Sequence, residues 1–323
     1  MSLEADTLID RRRLRRKLSL WRVLAFLGAG IAIVALGLMF GGRDMLASQS
    51  SHIARVTLTG MITGDQATID TIRRAKDAGA AKAVIVAINS PGGTTVGSEA
   101  LYHELRDLAK AKPTIAVVTG AAASGAYIAA MGTERIVAPE TAVVGSIGVV
   151  MQYPNFTRTL DTIGVKMEAV RSSPLKAQPS GTEPTPPEAR AALEASVADS
   201  YAWFKAIVKD RRALSDAELA KVADGRVFTG RQGLPLRLID EIGREKDAIA
   251  WLEANKGLAK NLKVLNYRRA TTTGQTGLFS LAAALAEGAG LGPLATALRE
   301  AGRGIEAQSL DGLLSIWQPA GQN

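Results

Sequence analysis

Cysteine is absent from this chain of 323 residues, which excludes a disulfide framework, a thiol nucleophile and a cysteine-ligated zinc. Histidine is almost absent too: His52 and His103 are the only two. That is too few for a multi-histidine metal centre, and any Ser-His-Asp triad has to use one of them. Excess charge of one sign is missing from the body of the chain. The whole carries a net +8, but residues 1–43 hold eight basic side chains against three acidic ones. The other 280 residues hold 31 against 28, so a basic nucleic-acid-binding face is not expected. With 47% hydrophobic and 22% charged residues the composition is that of a folded protein. The length suits one large domain or two modest ones, with a core large enough to need no metal or cross-link.

The basic excess precedes the one long hydrophobic run. From Val23 to Phe40 there are 18 consecutive apolar or glycine residues, about enough to cross a ~30 Å hydrocarbon core. A cleaved signal peptide has a shorter apolar stretch and a small-residue cleavage site. Ala47-Ser48-Gln49 fits the latter poorly, so a retained anchor over 21–40 is expected. Seven of the eight basic residues precede Phe40 and only Arg43 follows. The positive-inside rule then leaves 1–20 in the cytoplasm and the body outside it.

After a polar linker (41–52), β-like and helix-like segments alternate. Strands are expected at 53–59, 83–88, 114–119, 135–138 and 165–171, and helices at 66–78, 96–110 and from about Ser124. The apolar run at 83–88 is of the kind buried on both faces of a parallel sheet. Strand, helix, strand in repetition means right-handed crossovers and an α/β core, 53–185. A helical extension, 186–269, follows. It opens with a long helix at 186–212, has a capping-box pattern at Ser215-Asp216-Ala217-Glu218, continues helical to about 256 and ends in a strand at 262–267. In the tail, 270–323, short amphipathic helices fit 278–285 and 291–298.

Ligands of parallel sheets sit beyond the carboxyl ends of the strands, and two loops there carry chemistry. Asn89-Ser90-Pro91-Gly92-Gly93 follows the 83–88 strand. Its adjacent glycines allow close approach of backbone N–H groups to an anion, and they equally suit an ordinary turn. Gly120-Ala121-Ala122-Ala123-Ser124-Gly125 follows the 114–119 strand. Ser124 stands among small neighbours at a helix start, placed either as a nucleophile or as a simple N-cap. A nucleophilic serine needs a base. Neither histidine lies on a strand-end loop. Lys176 is the only charged residue between Arg171 and Glu183 and follows the expected 165–171 strand; a lysine serves as a base when its amine is neutral. Gly145-Ser146-Ile147-Gly148 offers a further hydroxyl.

These segments in this order resemble the signal peptide peptidase A family, in its short form. They are Asn89 to Gly93, Gly120 to Tyr127, Gly145 to Val149, and a lysine 52 residues beyond the serine. Gly225 to Gly230 and Leu238 to Gly243 add to the likeness, which runs from about Ile53 to about Gly243. Two departures stand out: Lys176 lies in Pro-Leu-Lys-Ala, and Pro235 interrupts a stretch that is often helical. The resemblance implies a Clp protease/crotonase-like parallel-sheet core behind one transmembrane helix, and a Ser/Lys endopeptidase of the bacterial inner membrane with a periplasmic catalytic domain. It makes Ser124 the nucleophile, Lys176 the general base and Ser146 the residue orienting the lysine. The oxyanion hole falls to backbone N–H groups of Gly92 and Gly93, aided by that of Ser124. It implies no cofactor and no metal. The partners implied are remnant signal peptides and other hydrophobic peptides, membrane lipid around 21–40, and further copies of the chain in a ring such as an octamer. Three rival readings are a membrane protease with one dedicated protein substrate, a crotonase-fold acyl-CoA enzyme and an inactive scaffold.

Overall fold

The computed structural model describes residues 21–24, 27, 28, 50–269, 292, 293, 296 and 314–316. Contacts divide the chain into two units, 1–51 and 52–323. In the second the elements run β1 (His52–Thr59), α1 (Gln66–Asp77), β2 (Ala81–Ser90), β3 (Gly92–Thr94), α2 (Thr95–Ala111), β4 (Thr114–Ala123) and α3 (Gly125–Met131). They continue with β5 (Arg135–Ala138), β6 (Val143–Gly145), α4 (Thr157–Thr162), α5 (Pro187–Arg212), α6 (Asp216–Val222) and β7 (Val227–Thr229). The last are α7 (Gly230–Gly233), β8 (Glu241–Ile242), α8 (Glu245–Asn255), β9 (Lys263–Tyr267) and β10 (Leu314–Ile316).

β1, β2 and β4 lie side by side and parallel, with β9 parallel on the outer edge of β1. Successive side chains of β2 point to opposite faces, and both faces are covered. Val84, Val86 and Ile88 pack with Ile72 of α1, Leu105 of α2 and Tyr127 of α3. Ala83 and Ile85 pack with Ala248 and Leu252 of α8. Double coverage is the reason this strand reads as an unbroken apolar run, each large side chain contributing about 1.5–3 kcal/mol. β4 then forks: residues 115–117 pair with β5 and residues 121–123 with β6, both parallel. β7 closes this edge antiparallel to β6. The α/β class expected from the sequence is the class that forms.

Two expectations fail. Residues 165–171 form no strand and are almost wholly exposed. Apolar Val165 and Met167 alternate with Lys166 and Glu168, as in a strand with one covered face, but no neighbour lies beside them to receive the ladder. They belong to an arm, 149–186, that is mostly exposed and adds no named strand to the sheet. The helical stretch expected up to about 256 is interrupted by β7 and β8, which add short pairings at the β4 fork. The capping box at Ser215 and Glu218 is formed in full. Most of the anchor at 21–40 and the helices expected at 278–285 and 291–298 lie outside the described residues. Among the described residues no helix is long and apolar enough to cross a membrane.

Candidate active site

The carboxyl end of β4 determines the site. Its last residues are small, and the chain turns at Ser124 directly into α3. Ser124 has φ 53° and ψ −120°, a conformation that costs a non-glycine residue about 1–3 kcal/mol unless its surroundings impose it. The surroundings do so. Its N–H donates to the Gly145 carbonyl at 2.7 Å, and its carbonyl accepts from the N–H groups of Tyr127 and Ile128. The Ser124 side chain makes no capping hydrogen bond, which removes the simple N-cap reading. A buried serine on a strained strand-to-helix turn is the arrangement that presents a nucleophilic hydroxyl at a sheet end. α3 is anchored behind it: every residue is buried, and the Tyr127 hydroxyl donates to the Leu238 carbonyl at 2.6 Å. Burial pushes the pKa of that hydroxyl well above the usual tyrosine range, so it stays a donor.

Ser146 stands beside Ser124 by the same construction. Ala123 and Gly145 are register partners at the ends of β4 and β6, so the residues that follow them emerge together. Ser146 also has positive φ, 52°, and its N–H donates to the Arg226 carbonyl at 2.9 Å. Gly145, at φ 88°, leaves its ideal Cβ position only 3.0 Å from the Phe228 ring. Two adjacent left-handed serines at paired strand ends mark stored strain in one place.

Asn89 ties β2 to this edge. The β2–β4 register slips between Ile88 and Ser90, and there the Asn89 Oδ1 accepts from the Ala121 N–H at 3.1 Å. Asn89→Ala leaves that amide without its acceptor and should lower stability by about 1–2 kcal/mol. The check is the urea midpoint, which should fall with an unchanged m-value.

β3 forms the facing wall and contacts α3. Ile62 donates its N–H to the Gly92 carbonyl at 2.9 Å and accepts the Thr94 N–H at 2.8 Å. In a parallel bridge of this kind, Gly93 directs its own N–H and carbonyl to the opposite side. The Gly92 N–H donates to the Ser90 Oγ at 3.1 Å. Of the three amides expected in the oxyanion hole, those of Gly92 and Ser124 are therefore engaged elsewhere, and Gly93 remains. The second available donor is Gly125. As the first residue of α3 it has no acceptor within its helix, and its N–H has no other partner among the described residues.

Histidine takes no part in this edge. His52 opens β1, at the amino ends of the parallel strands, while Ser124 follows the last residue of β4. The length of a ten-residue strand, roughly 30 Å, separates the two ends. His52 is buried against Tyr267, its Nε2 3.0 Å from the hydroxyl. His103 is exposed on α2, 3.9 Å from Glu99. Lys176 lies on the 149–186 arm, exposed, and its amine makes no hydrogen bond or ion pair among the described residues. It lines a cavity of about 460 Å³ whose walls are all arm residues, among them Arg171, Ser180 and Glu183. Arg171 pairs with Glu183 at 2.9 Å and holds that carboxyl below its usual range. Among the described residues no group of three or more His, Asp or Glu could hold a metal ion.

The sequence model of peptidase family S49 matches residues 106–259. A candidate protease of Synechocystis sp., slr0021, is 35% identical over 212 residues, which is 65% of this chain and 76% of that protein. The chain belongs to peptidase family S49. Within that family it is also similar to the chloroplastic serine protease SPPA of Arabidopsis thaliana, 34% identical over 245 residues. That match covers 73% of this chain and 36% of the longer relative. Among solved structures, ClpP1 of Listeria monocytogenes aligns over 60% of this chain and 92% of its own, at 14% identity and a TM-score of 0.40. A likeness that slight does not establish a common fold.

Two features of this S49 site escaped the sequence reading. Gly125 was legible in principle, because the amide after a nucleophile on such a turn is the usual second donor. Asn89 was quoted within its motif, but nothing local in the sequence shows that its side chain seals a register slip.

Proposed function

We propose that this protein is a serine endopeptidase with a Ser/Lys dyad, acting on remnant signal peptides and other hydrophobic peptides at the extracytoplasmic face of the membrane. The observation that carries the proposal is Ser124 itself. It is a strained serine at a strand end, beside Ser146 and within the same edge as two backbone N–H donors, Gly93 and Gly125. Ser124 Oγ attacks a peptide carbonyl while the neutral Lys176 amine takes its proton, and Ser146 orients that amine. The oxyanion rests on the Gly93 and Gly125 N–H groups. The lysine then protonates the leaving amine, and water releases the acyl group from Ser124. The substrate assignment is supported by the 18-residue apolar run at 23–40, which as an anchor confines the protein to the surface where such peptides lie. In this reading residues 53–185 form the catalytic core and 186–269 complete it.

The dyad assembles between copies. The exposed Lys176 amine makes no hydrogen bond or ion pair among the described residues, and its arm exposes Phe156, Ile163, Met167 and Val170 at 52%, 65%, 52% and 106%. Apolar side chains so exposed in one segment mark an interaction surface. The test uses detergent-purified full-length protein and a synthetic signal peptide. Ser124→Ala and Lys176→Ala should each be inactive. Mixed after dissociation and reassembly, they should recover about a quarter of wild-type activity, the chance that an intact serine meets an intact lysine in a symmetric assembly. Activity that survives Lys176→Ala sinks the dyad, and a mixture that stays inactive sinks its assembly between copies.

A further inference from the structure

The parallel strands begin on one row. His52, the first residue of β1, stands opposite Ala81 of β2 on one side and Lys263 of β9 on the other, so these two neighbours lie about 10 Å apart. β4 enters the same row just after Lys112, and α1, α2 and α8 end there, because each runs back against the strands it connects. Three lysines on this row have no carboxylate. Lys82 donates only to the Gly79 carbonyl, at 3.0 Å. The exposed Lys260 and Lys263 amines make no hydrogen bond or ion pair among the described residues. The acidic groups nearby are committed: Glu134 to Lys256, Asp107 to Lys110 at 2.8 Å, and Glu253 to the Asn261 N–H at 2.9 Å. Asp77 offsets Lys112 by Coulombic attraction. Lysines in the last turn of a helix answer its dipole. Lys82, Lys260 and Lys263 lie past the ends of α1 and α8, so the dipole does not account for them. The chain arrives at this row from its apolar run: eleven residues separate Phe40 from His52, a tether of at most about 40 Å.

We infer that this row of strand starts is a lipid-facing surface, whose partner is the anionic headgroup layer of the membrane that holds the anchor. The inference rests on the anchor reading of residues 23–40 and not on the chemistry of Ser124. Each lysine near an anionic surface favours contact about fivefold, and three together favour it about a hundredfold. The ten residues of β4, roughly 30 Å, separate the row from Ser124. With the row on the headgroups, the catalytic edge stands that far above them. A peptide still held in the bilayer reaches Ser124 only by projecting about nine extended residues, so released or projecting peptides are the class this placement admits.

The test uses full-length protein in lipid discs and reads no cleavage. The chain has no cysteine, and at Gly79, in the turn before β2, an added Cβ meets nothing within 4 Å. Gly79→Cys carries a fluorophore, and part of the lipid carries a nitroxide on its headgroup, which quenches only at contact range. Quenching should be roughly twofold stronger in discs containing phosphatidylglycerol than in phosphatidylcholine alone. It should fall to the phosphatidylcholine level in about 1 M salt, where the Debye length is about 3 Å. Lys82→Gln, Lys260→Gln and Lys263→Gln combined should have the same effect. Val96→Cys, in the first turn of α2 and so at the far end of that helix from Lys112, should be quenched weakly in both lipids. Equal quenching of Gly79→Cys in the two lipids, or of Val96→Cys and Gly79→Cys in phosphatidylglycerol, overturns the inference. Protein that does not enter the discs defeats the anchor reading instead. Its binding to phosphatidylglycerol vesicles, with and without the three glutamines, then decides whether the row faces lipid.

Discussion

Ser124→Ala should lower kcat for peptide hydrolysis by about a millionfold, the usual scale for removing a nucleophile from a catalytic unit that works together. Its effect on folding should be small. The Ser124 side chain does not cap α3, so the loss is at most that of a single hydrogen bond, about 1 kcal/mol. Ser124→Gly sharpens the test. At φ 53° and ψ −120° glycine is far less strained than serine, so this variant should be equally inactive yet more stable by about 1 kcal/mol. Inactivity with raised stability is the signature of strain retained for function. The measurement pairs a peptide-cleavage assay with thermal unfolding of the same preparations. Substantial activity in either variant removes Ser124 from the chemistry.

Gly93→Ala should lower kcat by about 10²–10³-fold, the cost of misplacing one oxyanion donor, and should also destabilise the fold. An ideal Cβ on Gly93 lies 1.8 Å from the Ile62 carbonyl oxygen and 2.5 Å from its carbon and nitrogen. These are backbone atoms held by two hydrogen bonds to β3, so no side-chain rotation relieves the clash. Either β3 moves toward the groove or the Ile62 segment withdraws, and in both cases the Gly93 N–H leaves its position. The expected stability loss is about 1–3 kcal/mol. Gly79→Ala is the control: a Cβ there meets nothing within 4 Å, and activity should be unchanged. Wild-type kcat in Gly93→Ala means that the donor lies elsewhere.

The parts legible from the sequence share a physical origin. β1, β2 and β4 were readable because double burial in a parallel sheet demands an unbroken apolar run, and α1 and α2 because one face of each is buried. The capping box at Ser215 and Glu218 is a contact across three residues, hence visible locally. The arm at 165–171 misled because alternation reports only a preference for extended backbone, while a strand requires a partner that sequence periodicity does not contain. The interruption of the expected helical stretch by two short strands has the same cause, since β7 and β8 exist only where β6 and β5 offer an edge.

The sequence by itself determined the α/β class, the order of the glycine loop, Ser124, Ser146 and Lys176 along the chain, and the exclusion of thiol and multi-histidine metal chemistry. Composition and local pattern suffice for each of these. Only the tertiary structure decided which amides are left to donate, because Gly92 and Ser124 spend theirs on Ser90 and Gly145. It alone set the left-handed backbone of Ser124 and Ser146, imposed by the pairing of β4 with β6. It also laid β10 along β3. A hydrogen-bond partner more than two hundred residues away leaves no periodicity in the chain, so it becomes visible only when the strands are laid side by side.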